Sequence, residues 1–200
     1  IEVVKNERVT LQTLLENVPS LKKLTPIDNE IIPLRLVNIN PDFVENIDGQ
    51  KLPKIYDHRK PWVEYGRKVN TAPNFYKVAI VIKKMGLDAN LTSITYKGLP
   101  SNISLSFSPY AKDAASQIVE ARRYGHETYM DVILLSKDFS KSDTGPYAID
   151  LSKSEEEVIK NLRNIISINA PIGGVVMNRG VYDLEVKDQL AKMLDELKLR

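Results

Sequence analysis

Tyr76-Lys77-Val78-Ala79-Ile80-Val81-Ile82-Lys83-Lys84-Met85-Gly86 is the run that decides the fold class predicted from this sequence. Its middle part is a short apolar segment rich in β-branched residues, and the run then ends abruptly in two lysines and a glycine. That pattern is typical of a buried strand that carries polar side chains to the end of a parallel sheet. In α/β proteins the functional sites lie at such strand ends, so we expect one near Lys83 and Lys84.

Strand and helix patterns alternate after this run. Regular alternation predicts parallel strands with right-handed crossovers, which form either a barrel or an open doubly wound sheet. The pattern alone leaves both architectures open. Asp88 and Ser154 are predicted to cap two of the helices, the second with Glu157 as a capping box. The predicted strands are 103–107, 127–135 and 173–177, and the predicted helices are 89–96, 111–124, one after Ser154, and a last one from Val186 to Leu197.

The first part of the chain, residues 1–74, is interpreted as an extension that wraps a main domain over residues 75–200. Thr10 to Leu24 has apolar residues at helical spacing and predicts one short amphipathic helix. Ile31 to Ile39 predicts an edge strand. Several prolines and Asp48-Gly49 are expected to interrupt regular structure in the rest of the extension.

Trp62 is the only tryptophan of the chain. An aromatic face can serve as a platform for a sugar ring, but a tryptophan beside Tyr65 in a connecting segment more often packs against a core. We therefore expect Trp62 to pin the extension to the main domain.

Composition limits the classes of function. The chain has 200 residues, of which 42% are hydrophobic and 27% charged, and its net charge of +2 provides no large field to attract nucleic acid. It has no cysteine, which excludes disulfides, thiolate nucleophiles and cysteine metal ligands. No apolar run reaches the length that spans a membrane. The sequence begins at Ile1, so we expect a processed or trimmed piece whose upstream signal or anchor is not visible.

Besides the first strand, several fragments between Lys51 and Arg200 carry a resemblance to a known family. They are Arg59-Lys60-Pro61-Trp62-Val63-Glu64-Tyr65, Leu105-Ser106-Phe107-Ser108-Pro109-Tyr110-Ala111, Ala121-Arg122-Arg123-Tyr124-Gly125-His126-Glu127, Asp143-Thr144-Gly145-Pro146 and Gly174-Val175-Val176-Met177-Asn178-Arg179-Gly180. These fragments resemble the divergent polysaccharide deacetylase family. The resemblance implies a distorted (β/α) barrel, incomplete at its C-terminus because relatives continue through further strand and helix units. It also implies an exported protein of the periplasm or cell envelope.

The resemblance implies a catalytic site that this sequence has altered. Polysaccharide deacetylases hold a divalent metal, commonly zinc, with an aspartate and two histidines, and a second aspartate acts as general base. The equivalent positions here are Lys83, Lys84, Asp131 and Asn178. Lysine ammonium groups cannot bind a cation unless they lose a proton. We therefore expect no metal cofactor.

The two lysines have two interpretations. In one, a lysine ammonium lies where the cation would bind, pairs with Asp131 and is hydrogen-bonded to Asn178. This requires the lysine to point inward, and strand alternation allows only one of the two to do so easily. In the other, both lysines are solvated loop charges.

The remaining candidates are weaker. We expect His126 to be a hydrogen-bonded turn residue and His58 to be exposed. Tyr110 and Arg179, together with Asp131 and Asn178, are candidates to line a groove, although Tyr110 and Arg179 can equally be packing residues at its rim.

These observations predict a pseudoenzyme that has lost the metal and the base. Its groove is expected to bind a polysaccharide or peptidoglycan-type glycan, or an envelope protein partner. One alternative is an active hydrolase that removes N-acetyl groups from polysaccharide through a rearranged site. Another is an interaction module that uses the extension or an open sheet edge, and a third is a truncated remnant without its own function.

Overall fold

The computed structural model describes residue 34 and residues 37–68, 78–135, 145–169, 172–177 and 187–200. The helix predicted over 10–24 lies outside the described residues, as does most of the strand predicted over 31–39, of which residues 37–39 are not in a strand. The boundary near residue 74 also falls outside them and stays a prediction.

The main part of the structure is a parallel sheet with flanking helices, which confirms the α/β fold class. The strands are β1 (Val44–Ile47), β2 (Gln50–Pro53), β3 (Val81–Met85), β4 (Ser104–Phe107), β5 (Thr128–Leu134), β6 (Ala148–Ile149) and β7 (Val175–Met177), and the helices are α1 (Pro61–Tyr65), α2 (Ala89–Gly98), α3 (Ala114–Arg123), α4 (Glu155–Ile166) and α5 (Lys187–Lys198). The strand order of the main sheet is β3-β4-β5-β6, and β7 also pairs with β5. Every pair in this sheet is parallel.

Asp88 and Ser154 cap their helices as predicted, but only one half of the predicted capping box is present, since the Glu157 side chain does not bond back to the Ser154 N–H. The Asp88 carboxylate accepts a hydrogen bond from the Leu91 N–H at 2.9 Å, and the Ser154 hydroxyl accepts one from the Glu157 N–H at 3.3 Å. Each cap supplies a partner to a main-chain N–H that the first helical turn leaves without one. Within the described ranges, every helix is too short or too polar to cross a membrane.

The core lies between the sheet and the helices. Helix α3 buries Ala114, Ile118, Ala121 and Arg122 on one face, while Ala115 is exposed. The buried apolar residues that build this core include Leu105, Phe107, Ile118, Met130, Val132, Ile149, Val158, Leu162, Ile165 and Met193.

The prediction that the first strand is buried is wrong. β3 is the end strand of the order, and within the described ranges no strand pairs with its second edge. Val78, Ile80 and Val81 are therefore exposed. An apolar run identifies a strand, but it does not identify the strand's position in the sheet.

Two expectations for the region before the sheet are also corrected. Residues around Asp48-Gly49 form a regular hairpin of β1 and β2, because both turn residues have positive φ, of 51° and 80°. An Asp-Gly pair is the usual sequence of such a turn. Trp62 does not pin this region to the core, since it is 57% exposed. Tyr65 is fully buried instead.

A buried cation joins this region to the sheet. The Arg122 guanidinium of α3 donates to the Tyr65 carbonyl at 2.9 Å, to the Thr128 hydroxyl at 3.2 Å and to the Val37 carbonyl at 3.3 Å. Burial lowers the pKa of Arg122 to about 10, while nearby Tyr65 and Glu127 act to raise it. The contacts of this one side chain hold residues 37 and 65 against the main domain.

Candidate functional site

Asp131 lies at the centre of the predicted site. It belongs to β5, is buried, and has both carboxylate oxygens hydrogen-bonded. Its Oδ1 accepts a hydrogen bond of 2.6 Å from the Ser106 hydroxyl of β4. Its Oδ2 accepts a hydrogen bond of 2.9 Å from the Lys84 main-chain N–H of β3. The carboxylate therefore connects the ends of three neighbouring strands.

The two lysines take different places around this carboxylate. The Lys83 ammonium lies 4.0 Å from Asp131 Oδ1, and the Lys83 side chain is 38% exposed. Lys84 meets Asp131 through its main-chain N–H, and its side chain is exposed. Lys83 is thus the lysine that approaches Asp131, at the outer limit of an ion pair.

A β-bulge produces this arrangement. Ile82 pairs with Leu105 and Met85 with Phe107, so two residues of β3 stand opposite one residue of β4. Lys84 has a φ of 61°, which turns its N–H toward Asp131. An extra residue in a strand bends it and re-aims its groups, which is a common feature beside functional sites.

Gly86 fixes the turn that follows the bulge. Its φ is 90°, and its N–H donates to the Thr92 hydroxyl at 2.9 Å. A Cβ at this position would lie 2.4 Å from the Ala111 Cβ, so a side chain does not fit there. The sequence Lys84-Met85-Gly86 is therefore held in one conformation by main-chain requirements.

The hydrogen-bond donors that surround Asp131 do not form a set of zinc ligands. Zinc in a hydrolase takes three nitrogen, sulfur or oxygen ligands from the protein and keeps a fourth position open. Asp131 is surrounded instead by a hydroxyl, an N–H and an ammonium. In the part of the chain that the structure describes, no three His, Cys, Asp or Glu side chains come close enough together to hold a metal.

His126 lies away from Asp131, at the start of β5. It is fully buried, and its Nδ1 and Nε2 lie 2.7 Å and 2.9 Å from the carbonyl oxygens of Ile103 and Tyr96. It is the hydrogen-bonded turn residue that the sequence predicts. His58 is exposed, also as predicted.

Tyr110 packs against a loop rather than against the lysines. Its hydroxyl accepts a hydrogen bond of 2.9 Å from the Tyr147 N–H, and the two rings meet edge to face with centroids 5.2 Å apart. A Cβ on Gly145 would lie 2.9 Å from the Tyr110 ring. The candidates Asn178 and Arg179 lie outside the described residues.

Ser106 is the site residue that the sequence reasoning missed. The alternation of apolar residues with serine in 103–107 identified the strand but gave Ser106 no role. A small polar residue on a fully buried strand needs a hydrogen-bond partner, and this requirement is the signal that points to Asp131.

The comparisons with known proteins concern the family and the fold of this chain. A family model, described as divergent polysaccharide deacetylase, matches residues 80–200. No curated protein matches the sequence. Among solved structures, the chain is similar in fold to an uncharacterized protein of Agrobacterium tumefaciens C58, with 22% identity and a TM-score of 0.68, over 74% of this chain and 60% of that one. Because the family model matches more than half of the sequence, this protein belongs to the divergent polysaccharide deacetylase family.

Proposed function

We propose that this chain is a catalytically degenerate member of its family whose strand-end site binds a cell-envelope glycan. One observation carries the first half of the proposal. Asp131, at the position of a family metal ligand, has both oxygens hydrogen-bonded to Ser106 and Lys84 and faces the Lys83 ammonium. The Lys83 ammonium places a positive charge beside the one carboxylate of this site, and this charge opposes the approach of a divalent cation.

The charges around the site also oppose the family's hydrolysis. A deacetylase stabilises the negative charge that develops on the acetyl oxygen with its metal, and a carboxylate base activates the attacking water. A protonated lysine at each of positions 83 and 84 repels a divalent cation and cannot accept a proton. The two aspartates that the family places there are absent from this sequence.

Binding of a glycan remains within the capacity of such a site. The Lys83 ammonium is partly exposed and has three N–H donors that a sugar hydroxyl can reach, whereas the Ser106 hydroxyl and the Asp131 carboxylate beside it are buried and hydrogen-bonded to each other. The family's description as polysaccharide deacetylases supports a polysaccharide or peptidoglycan-type ligand. A place in the periplasm or cell envelope belongs to the same proposal.

The first experiment measures metal content. The purified chain is dialysed against zinc and analysed for bound metal, beside a restored variant that carries Lys83→Asp, Lys84→Asp, Asp131→His and Asn178→His. We expect metal in the restored variant and none in the unmodified chain. Stoichiometric zinc in the unmodified chain, together with acetate release from an N-acetylated oligosaccharide that Asp131→Ala abolishes, would establish an active hydrolase instead.

The second experiment measures glycan binding by calorimetry, with N-acetylglucosamine oligomers and soluble peptidoglycan fragments as probes. Lys83→Gln is expected to weaken binding about tenfold, because one hydrogen bond from a charged donor contributes about 1.5 kcal/mol. Lys153→Gln, which changes another exposed lysine, is the matched control. No affinity for either probe, combined with a stable oligomer, would favour an interaction module and contradict the proposal.

A further inference from the structure

A groove of about 540 Å³ lies between β3 and α2. This volume falls within the range of small-molecule sites in proteins. Half of the described residues that line it are apolar, and none of the described ones is aromatic. The apolar residues that line it are Ile82, Met85, Leu87, Leu91, Ile94 and Leu99.

Helix α2 leaves its aliphatic residues exposed. It buries Thr92 and Tyr96, whereas Leu91 and Ile94 are 63% and 68% exposed. Leu87, just before the helix, is 59% exposed. A helix on a sheet normally turns its aliphatic residues inward, and a contiguous exposed apolar surface indicates a binding surface.

The charges at one end of the groove are positive. Lys83 and Lys84 line it, and Asp88 is the one carboxylate among the described lining residues. Asp88 accepts from the Leu91 N–H as a helix cap. Lys83 is only at the 4.0 Å limit of a pair with Asp131, and no described carboxylate pairs with the Lys84 ammonium. Both ammonium groups therefore keep donors for an anion.

We propose that this groove binds a single-chain lipid phosphate, with the hydrocarbon chain along α2 and the phosphate on Lys83 and Lys84. The aliphatic lining suits a hydrocarbon chain, whereas a sugar ring would need polar partners or an aromatic face there. A second copy of the chain would bring a second pair of lysines to the same edge and would add repulsion. The proposal does not depend on glycan binding at Asp131, although Lys83 takes part in both.

The probe is dodecyl phosphate, used below its micellar concentration and titrated into the ¹⁵N-labelled chain by NMR. We expect saturable shifts at Leu91 and Ile94, and binding that is at least tenfold tighter than that of octyl phosphate. Each fully buried methylene strengthens binding about fourfold, so the chain length reports how much of the tail is buried. Dodecyl maltoside and dodecyltrimethylammonium have the same tail without the negative charge, and we expect both to bind at least tenfold more weakly.

Two variants separate the two halves of the site. Leu91→Gln with Ile94→Gln should weaken dodecyl phosphate binding at least tenfold, whereas Leu199→Gln, another exposed leucine, should not. Lys83→Gln with Lys84→Gln should remove the preference for the phosphate over the maltoside head, and Lys153→Gln should keep it. Retained glycan binding in the Leu91→Gln, Ile94→Gln variant would support the proposal, because the loss of dodecyl phosphate binding would then be specific to the apolar part of the groove.

Three results would overturn the proposal. The first is equal affinity for the three dodecyl heads, which would mean nonspecific adsorption of a tail. The second is binding of inorganic phosphate as tight as that of dodecyl phosphate, which would leave the groove without a role. The third is a concentration-dependent dimer, seen by sedimentation, that disappears in the Leu91→Gln, Ile94→Gln variant, because a second copy would then be the occupant of the groove.

Discussion

Replacement of Arg122 by Met tests whether one buried cation holds residues 37–68 to the sheet. Among the residues that the structure describes, Arg122 is one of the largest fully buried side chains, and its guanidinium donates to Tyr65, Thr128 and Val37. It also lies 5.4 Å from the centroid of the Tyr65 ring, in a cation–π contact. Met fills a similar volume without donors or charge, so the change removes the polar contacts and leaves most of the packing.

The expected loss of stability is the difference between two effects. The buried acceptors on Tyr65 and Thr128 lose this donor, at a cost of about 1–3 kcal/mol each. The variant also no longer pays for burial of a cation, a cost that the pKa of about 10 for Arg122 reflects. We therefore expect a net decrease of about 2 kcal/mol in the free energy of unfolding, which is less than the sum of the lost contacts.

Urea unfolding followed by circular dichroism measures this difference. With a slope of roughly 2 kcal/mol/M, the midpoint of the Arg122→Met variant should fall by about 1 M. Arg123→Met is the matched control, since the adjacent Arg123 is exposed and pairs with Glu120 in the same helix; its effect should stay within about 0.5 kcal/mol. Equal midpoints for the two variants would refute the reasoning, because burial of the cation would then cancel all its contacts.

Two further predictions concern a glycine turn and an acid-sensitive ion pair. Gly86→Ala should destabilise the chain by at least about 2 kcal/mol, because φ is 90° and the new Cβ would meet Ala111, whereas Gly98→Ala, with open space around it, should be neutral or stabilising in the same urea assay. Hydrogen bonds from Arg163 lower the pKa of Glu196 below its usual 4.5. The stability that this pair contributes is therefore present above about pH 4.5 and is lost as the pH falls through the lower pKa of the folded state. Glu196→Gln should reduce the dependence of the thermal midpoint on acid pH. An unchanged dependence would contradict this assignment.

The sequence predicted the helices and their caps well because these depend on local chemistry. Asp88 and Ser154 each accept a hydrogen bond from an N–H three residues ahead, and the helices start where those caps place them. The parallel order of the sheet followed from the alternation of strand and helix. The short strand β6 was missed because Ala148 and Ile149 give too short a pattern to be seen.

Edges and anchors were harder to predict because they depend on distant residues. The apolar composition of Val78–Val81 is the same for a central strand and for an end strand, so only the strand order shows that these residues are exposed. The choice between Trp62 and Tyr65 as anchor depended on Arg122, which lies 57 residues after Tyr65 and donates to its carbonyl. Neither fact is available from a local pattern.

The connection at Asp131 is made by the main chain rather than by a lysine side chain. One carboxylate of β5 accepts a hydrogen bond from a hydroxyl of β4 and another from a main-chain N–H of β3, while the Lys83 ammonium lies 4.0 Å away. One interpretation of the sequence had a lysine side chain make this connection, and the other had both lysines solvated. The closer contact is the N–H of Lys84, which the bulge and its positive φ bring to Asp131. In the degenerate site that we propose, this main-chain contact would take the structural part of a metal's role, and both lysine side chains would keep donors for a ligand.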